Sequence, residues 1–128
     1  MKTKLAVGFI LFISGFAAAR LLLAHHGAAT YDLEHPIALR GVVNNIEWTN
    51  PHLFIYLDVK EDNGSTVQWR VEGNSPNMLT RVGWRKEMIK AGDQITVNGA
   101  VAKNGVKVLR LISITLANGQ KFDGQGFK

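Results

Sequence analysis

No cysteine occurs anywhere in the 128 residues. That excludes a disulfide framework and any thiolate metal site, so stability must come from a packed core. Proline is nearly as scarce: Pro36, Pro51 and Pro76 are the three points at which the chain must depart from regular pairing. Phosphate-loop chemistry is missing too. Gly124-Gln125-Gly126 has neither a following helix pattern nor a Lys-Ser/Thr pair. Ser65, Ser75 and Ser113 lack the setting of an activated nucleophile, and nothing in the spacing brings Glu47 and Asp58 together. These absences argue against an enzyme. Internal repeats and low-complexity stretches are absent as well.

What is present begins with a leader. Met1-Lys2-Thr3-Lys4 is a basic start, and Leu5 to Ala19 is an apolar run ending in Ala17-Ala18-Ala19. Small side chains in that arrangement suit a signal peptidase, with cleavage after Ala19 or after Ala24. Residues 1–24 are therefore expected to be a signal peptide, or an N-terminal anchor if retained, and the mature protein to be periplasmic or secreted. A membrane contact is expected only for a retained leader. Export changes the meaning of the formal net charge of +5. Cleavage after Ala19 removes Lys2 and Lys4 and leaves 13 basic against 10 acidic residues, a net +3. So mild a surface excludes a nucleic-acid footprint.

Beyond the leader, residues 25–36 show no apolar period and read as an extended arm ending at Pro36. A broken period of two then runs from Ile37 to Trp48, and Gly41 sits where the phase slips, as at a bulge. Leu53 to Val59 is almost wholly apolar and reads as a strand buried on both faces. Asn63-Gly64 signals a hairpin, and Val67, Trp69 and Val71 alternate with polar residues. Ser75-Pro76 is a helix start, N-cap followed by a proline at the first helical position, and Gly83 ends that helix. Trp84 to Lys90 adds a short turn. A fourth strand holds Ile95 and Val97, and the fifth spans Val106 to Leu116 after the turn Lys103-Asn104-Gly105. Residues 120–128 read as a flexible tail.

Three strands, a helix and two strands over residues 37–119 is the order of a mainly β, five-stranded OB-like Greek-key barrel, with its helix between strands 3 and 4. Bends near Gly41 and Gly99 are what a small closed barrel needs. A split α+β sheet is the competing arrangement.

The stretch Glu47-Trp48-Thr49-Asn50-Pro51-His52 forms the first corner of that barrel. Pro51 cannot donate to a ladder and holds Asn50 out of the helical region, so the chain bends there. An indole and an imidazole are set on this bend. His25, His26 and His52, in an exported chain without thiolates, suit Cu(II) or Zn(II). If cleavage follows Ala24, the free amine and ring nitrogen of His25 can chelate together. The plain alternative is solvated histidines in the arm and a capping role for His52. Were the arm to pack along the first strand, two or three imidazoles would meet beside Trp48. Trp48, Asn50, Tyr56 and Trp69 are the candidates for a ligand-binding face, since OB barrels bind on their second and third strands. For Trp69 and Trp84 a core role is the better reading: Trp69 belongs to a dry strand face, and Trp84 plugs the barrel end beside the helix. Arg81, Arg85, Lys86 and Lys90 make a basic run, read as a solvated face or a docking patch for an acidic partner.

Four landmarks together resemble a family of small exported bacterial proteins known only as a domain of unknown function. They are His25-His26, Trp48-Thr49-Asn50-Pro51-His52, Glu72-Gly73-Asn74-Ser75-Pro76-Asn77 with Gly83-Trp84, and Lys90-Ala91-Gly92-Asp93. The resemblance implies an exported OB-like barrel and brings no established activity. In that family the leader is expected to end directly before the His pair; here the better site lies five residues earlier.

Two functions follow as expectations. One is a small periplasmic protein binding a metal such as copper, or zinc, through histidines. The other is an OB-like module that holds a peptide, glycan or periplasmic protein partner without metal.

Overall fold

The computed structural model describes residues 30–124. The chain divides after Thr30, and the unit that begins at Tyr31 is a barrel. Its strands are β1 (Ile37–Trp48), β2 (Leu53–Lys60), β3 (Thr66–Glu72), β4 (Gln94–Val101), β5 (Val108–Thr115) and β6 (Lys121–Asp123). A single α-helix, α1 (Pro76–Arg81), and a 3-10 turn (Lys86–Met88) lie between β3 and β4. None of the helices among the described residues is long and apolar enough to cross a membrane.

Strand β1 is long because it serves two neighbours. Its first half pairs antiparallel with β4, from Ile37 opposite Gly99 to Val42 opposite Gln94. Its second half pairs with β2, from Val42 opposite Asp58 to Trp48 opposite Leu53. β2 pairs with β3, β4 with β5, and a short parallel pairing of β3 with β5 closes the ring. The result is a closed five-stranded barrel, mainly β, with the strand order and helix position of an OB-like fold. Closure leaves none of the five barrel strands as a full-length free edge.

Among the described residues, the core is one cluster. Leu53, Ile55 and Leu57 from β2, Val71 from β3, Val97 from β4 and Leu109 from β5 are fully buried in it. Each such side chain contributes roughly 1.5–3 kcal/mol relative to exposure, which is how a barrel without disulfides holds. Ser75 caps α1, its Oγ accepting from the Met78 amide at 3.3 Å, and Pro76 opens the helix as expected. Leu79 plants the helix on the core, while Val82 stays exposed. Trp84 closes the barrel end: it is buried, donates Nε1–H to the Asp123 carbonyl at 3.0 Å and meets Phe122 edge-on.

Three sequence expectations change. β2 is not buried on both faces: Leu53, Ile55, Leu57 and Val59 point inward, whereas Phe54, Tyr56 and Asp58 remain half-buried on the outer side. The reason is topological, because a barrel strand has one interior and the other face is outside. The register slip in β1 falls between Val43 and Asn45, not at Gly41. Gly41 instead allows close approach, since a Cβ there would lie 2.5 Å from the Asp58 carbonyl oxygen. Gly99 does sit at a slip, between Asn98 and Gly99 in the β4–β5 pairing. Finally, part of the expected loose tail is β6, with Phe122 opposite Ile114.

Candidate functional site

Two groups of side chains emerge on the outside of the barrel near β2 and β3. The first is centred on Glu72, the last residue of β3. Its Oε2 accepts from the Tyr31 hydroxyl at 2.8 Å, and its Oε1 accepts from Arg110 Nη1 at 3.3 Å. Arg110 Nη2 donates onward to Asn74 Oδ1 at 2.6 Å. His52 Nδ1 lies 3.6 Å from the same Glu72 Oε1 and 3.2 Å from the Gly73 carbonyl. Carbonyl oxygens only accept, so Nδ1 carries the proton in this contact, and in the neutral ring Nε2 is left with its lone pair. Burial, followed by the hydrogen bond to Glu72, pushes the Tyr31 phenol up to about 12.

Tyr31 arrives from the arm. It bridges to Ala102, and the Asp32 amide donates to the Val101 carbonyl, so the described part of the arm is tied to the end of β4. Nearby, His35 lies 3.1 Å from Asp32, and that hydrogen bond lowers the Asp32 carboxyl below its ordinary range.

The second group lies along β1, β2 and β3. Tyr56 stands opposite Arg70, and Phe54 stands between Glu47 and Glu72. The Arg70 guanidinium lies over the Phe54 ring, 5.3 Å from its centroid, and the His52 ring is 6.3 Å from the same ring. Tyr56 donates to Glu47 Oε1 at 3.0 Å, and that bond raises its phenol above the ordinary value. The face thus offers half-covered aromatic rings between charges of both signs. Such a surface can stack on a planar or apolar group and bond a polar one.

The sequence candidates separate here. Tyr56 is on this outer face, and His52 stands at its end. Trp69 is inside, 7% exposed, with Lys107 Nζ 5.0 Å from its ring centroid. Its side of β3 is the one that carries Val71, so Trp69 is core and cannot line a face with Tyr56. Trp48 is half-buried and packs against the core from the inner side of β1. Asn50 is exposed in the corner, before a cis peptide bond to Pro51. His25 and His26 lie outside the described residues. Among the described residues, no three His, Asp or Glu side chains gather as a metal site. Phe54, Arg70, Glu72, Tyr31 and Arg110 were missed. A signal for two of them existed: Arg70 and Glu72 alternate with Val71 and were legible as the wet side of β3.

Asp58 lines a hollow on the barrel wall, and among the described residues no histidine lines it too. Glu47 is engaged by Tyr56. Among the described residues, neither carboxylate has a histidine as a hydrogen-bond or ion-pair partner.

The profile of a family of unknown function, DUF6152, matches residues 14–109. The chain belongs to that family. All four landmarks that carry the resemblance lie within the matched stretch. Among proteins with curated descriptions, none matches this chain. Among solved structures, the chain is similar to a ZRD-deleted mutant of TiaS in complex with agmatine, at 18% identity and a TM-score of 0.51. The likeness covers 74% of this chain and 27% of that one, so this chain spans about a quarter of that neighbour's length. At that identity the likeness speaks for the fold alone.

Proposed function

We propose that this is an exported, periplasmic binding module, without catalysis of its own, whose outer β2–β3 face holds a peptide, glycan or protein partner. The observation that carries this reading is the placement of Phe54 and Tyr56. Both lie on the outward side of a strand whose inward side already fills the core, so the fold does not need them apolar. Arg70 over Phe54 and Glu47 on Tyr56 hold the two rings in place, which lowers the ordering cost of binding. The leader pattern supports export. Screening peptide and glycan arrays with the mature protein, and with Phe54→Ala and Arg70→Ala variants, tests the reading. Ligands recovered by the parent protein are expected to be lost, by about tenfold or more in affinity, in variants that remain folded. Retention of every ligand by both variants would sink it. Trp69→Ala, in contrast, is expected to unfold the barrel.

A second reading is favoured by the hydrogen bond of His52. With Nδ1–H held by a backbone carbonyl, Nε2 is presented as a metal ligand, the arrangement that fixes imidazole tautomers in metal sites. Copper, or zinc, would then be bound through imidazoles, with His25 and His26 the other candidate ligands. Titration of the mature protein with Cu(II) is expected to show binding that weakens in a His52→Ala variant and in a His25→Ala/His26→Ala variant. Equally weak binding in all three proteins removes the metal reading. The mature N-terminal residue, from mass spectrometry, decides whether His25 carries a free amine.

A further inference from the structure

The wall of the barrel carries a hollow of about 490 Å³, away from Glu72 and His52, where β1 is paired on both sides. Its floor is Val42, which is 43% exposed and stands opposite Asp58 on β2 and Gln94 on β4. Two cations line it, Arg40 from β1 and Lys60 from β2, and the Thr66 side chain lies across from Lys60.

The charges in the hollow do not neutralise one another by pairing. Among the described residues, neither Arg40 nor Lys60 forms an ion pair. Arg40 donates one N–H to the Gln94 amide oxygen at 3.1 Å and keeps the rest of its donors. Asp58 accepts instead from two neutral amides, Asn44 Nδ2 at 3.0 Å and Gln68 Nε2 at 3.4 Å. Since an ionised carboxylate has about four lone-pair sites, acceptor capacity remains on Asp58. The hollow therefore presents two cationic donors, one anionic acceptor and an apolar floor.

We infer that this hollow binds a hydroxylated carboxylate, a uronate-type sugar acid, its carboxylate on Arg40 and Lys60 and a ring hydroxyl on Asp58. Each feature narrows the ligand. The two cations require an anion, and Arg favours a planar carboxylate that it can grip with two N–H groups. Asp58 requires a donor beside that anion and repels a second negative charge, so a plain dicarboxylate fits poorly. Val42 suits the C–H face of a ring and gives nothing to an inorganic ion. The volume is within the range of small-molecule sites. This inference stands apart from the β2–β3 face and does not depend on that face having a partner.

The experiment is a titration of the full mature chain with galacturonate, galactose and succinate, read by backbone-amide shifts in NMR. Galacturonate is expected to move the amides of Arg40, Val42, Lys60 and Thr66. Galactose and succinate are expected to bind at least about tenfold more weakly, each lacking one of the two polar groups. Arg40→Gln and Lys60→Gln should each weaken galacturonate by roughly five- to tenfold, while Lys103→Gln leaves it unchanged. Both variants change exposed side chains, and an unchanged amide spectrum elsewhere verifies the fold. Binding of galactose as tightly as galacturonate, no shifts with any probe, or full affinity in both variants would overturn the inference. Shifts confined to Phe54, Tyr56 and Arg70 would overturn it too, while supporting the face. A galacturonate oligomer that binds tighter than the monomer points to a polymer as the source of the sugar acid; equal affinity points to the free acid. Either result supports the site.

Discussion

At the scale of single residues, the hydrogen bond from Tyr31 to Glu72 ties the arm to the barrel. Tyr31 is the first residue of the barrel unit, yet its hydroxyl reaches the end of β3. The folded phenol holds its proton to about 12, against an ordinary value of 10.0. A raised value means that folding strengthens proton binding. The stability it brings is whole below pH 10 and is lost as pH rises through about 12. Urea unfolding across that interval should therefore show a falling midpoint, and Tyr31→Phe should flatten the fall. A slope identical to the parent's would mean that Tyr31 contributes nothing to it. Tyr56→Phe is expected to act in the same direction, since its phenol is raised too. Arg110→Ala leaves Glu72 with one strong donor fewer in a half-buried place. Its expected cost is about 1.5–3 kcal/mol, measurable by the same unfolding. His52 differs from these residues, because its bond to Gly73 orients the ring more than it holds the fold.

Among the elements, β2 and β4 illustrate two different uses of sequence. In β2 the inward set, Leu53, Ile55, Leu57 and Val59, is sufficient for the core. An apolar outward set then has to be read as surface, and it becomes the proposed binding face. In β4 the essential feature is a missing side chain. A Cβ at Gly99 would collide with the Arg110 carbonyl oxygen and the Leu109 side chain, where β4 slips against β5. Gly99→Ala must move backbone to fit, and overpacking of this kind costs roughly 1–3 kcal/mol or more. Thermal melts are expected to show a clear drop for Gly99→Ala. By comparison, Gly105→Ala meets no neighbouring atom and suffers only from its positive φ. Should the two variants melt alike, close packing at Gly99 would not be the reason for that glycine.

For the whole molecule, closure depends on the short parallel pairing of Arg70, Val71 and Glu72 with Val108, Leu109 and Arg110. That pairing also sets Arg110 beside Glu72, so the seam of the barrel and the Tyr31 network are one structure. The last strand adds a second closure. β6 carries Phe122 to the Trp84 ring and presents the Asp123 carbonyl to its indole. Removing residues 121–128 leaves a buried indole N–H without its acceptor and uncovers part of the ring. An expected loss of about 2–4 kcal/mol follows, visible as a lower denaturant midpoint and as red-shifted tryptophan fluorescence. Unchanged fluorescence would show that the tail does not cover Trp84.

Local patterns in the chain were enough to determine the five barrel strands, the capped helix and their order, but not β6. Alternation in β3, the Ser75-Pro76 start and the Pro51 corner each act over a few residues, and short-range chemistry dictates them. Membership of the family was legible for the same reason, in motifs spaced along the chain. Which side of a strand faces in was legible where polar residues alternate, as around Trp69, and was not in β2, where Phe54 and Tyr56 are apolar like their neighbours. Only the closed ring decides that, by giving each strand a single interior. The Tyr31–Glu72–Arg110 network joins residues 41 and 38 positions apart. No local pattern encodes such a meeting; the β3–β5 seam creates it. Likewise the hollow over Val42 exists because β1 is shared by β2 and β4, and strand pairing, not residue type, brought Arg40 and Lys60 to its walls.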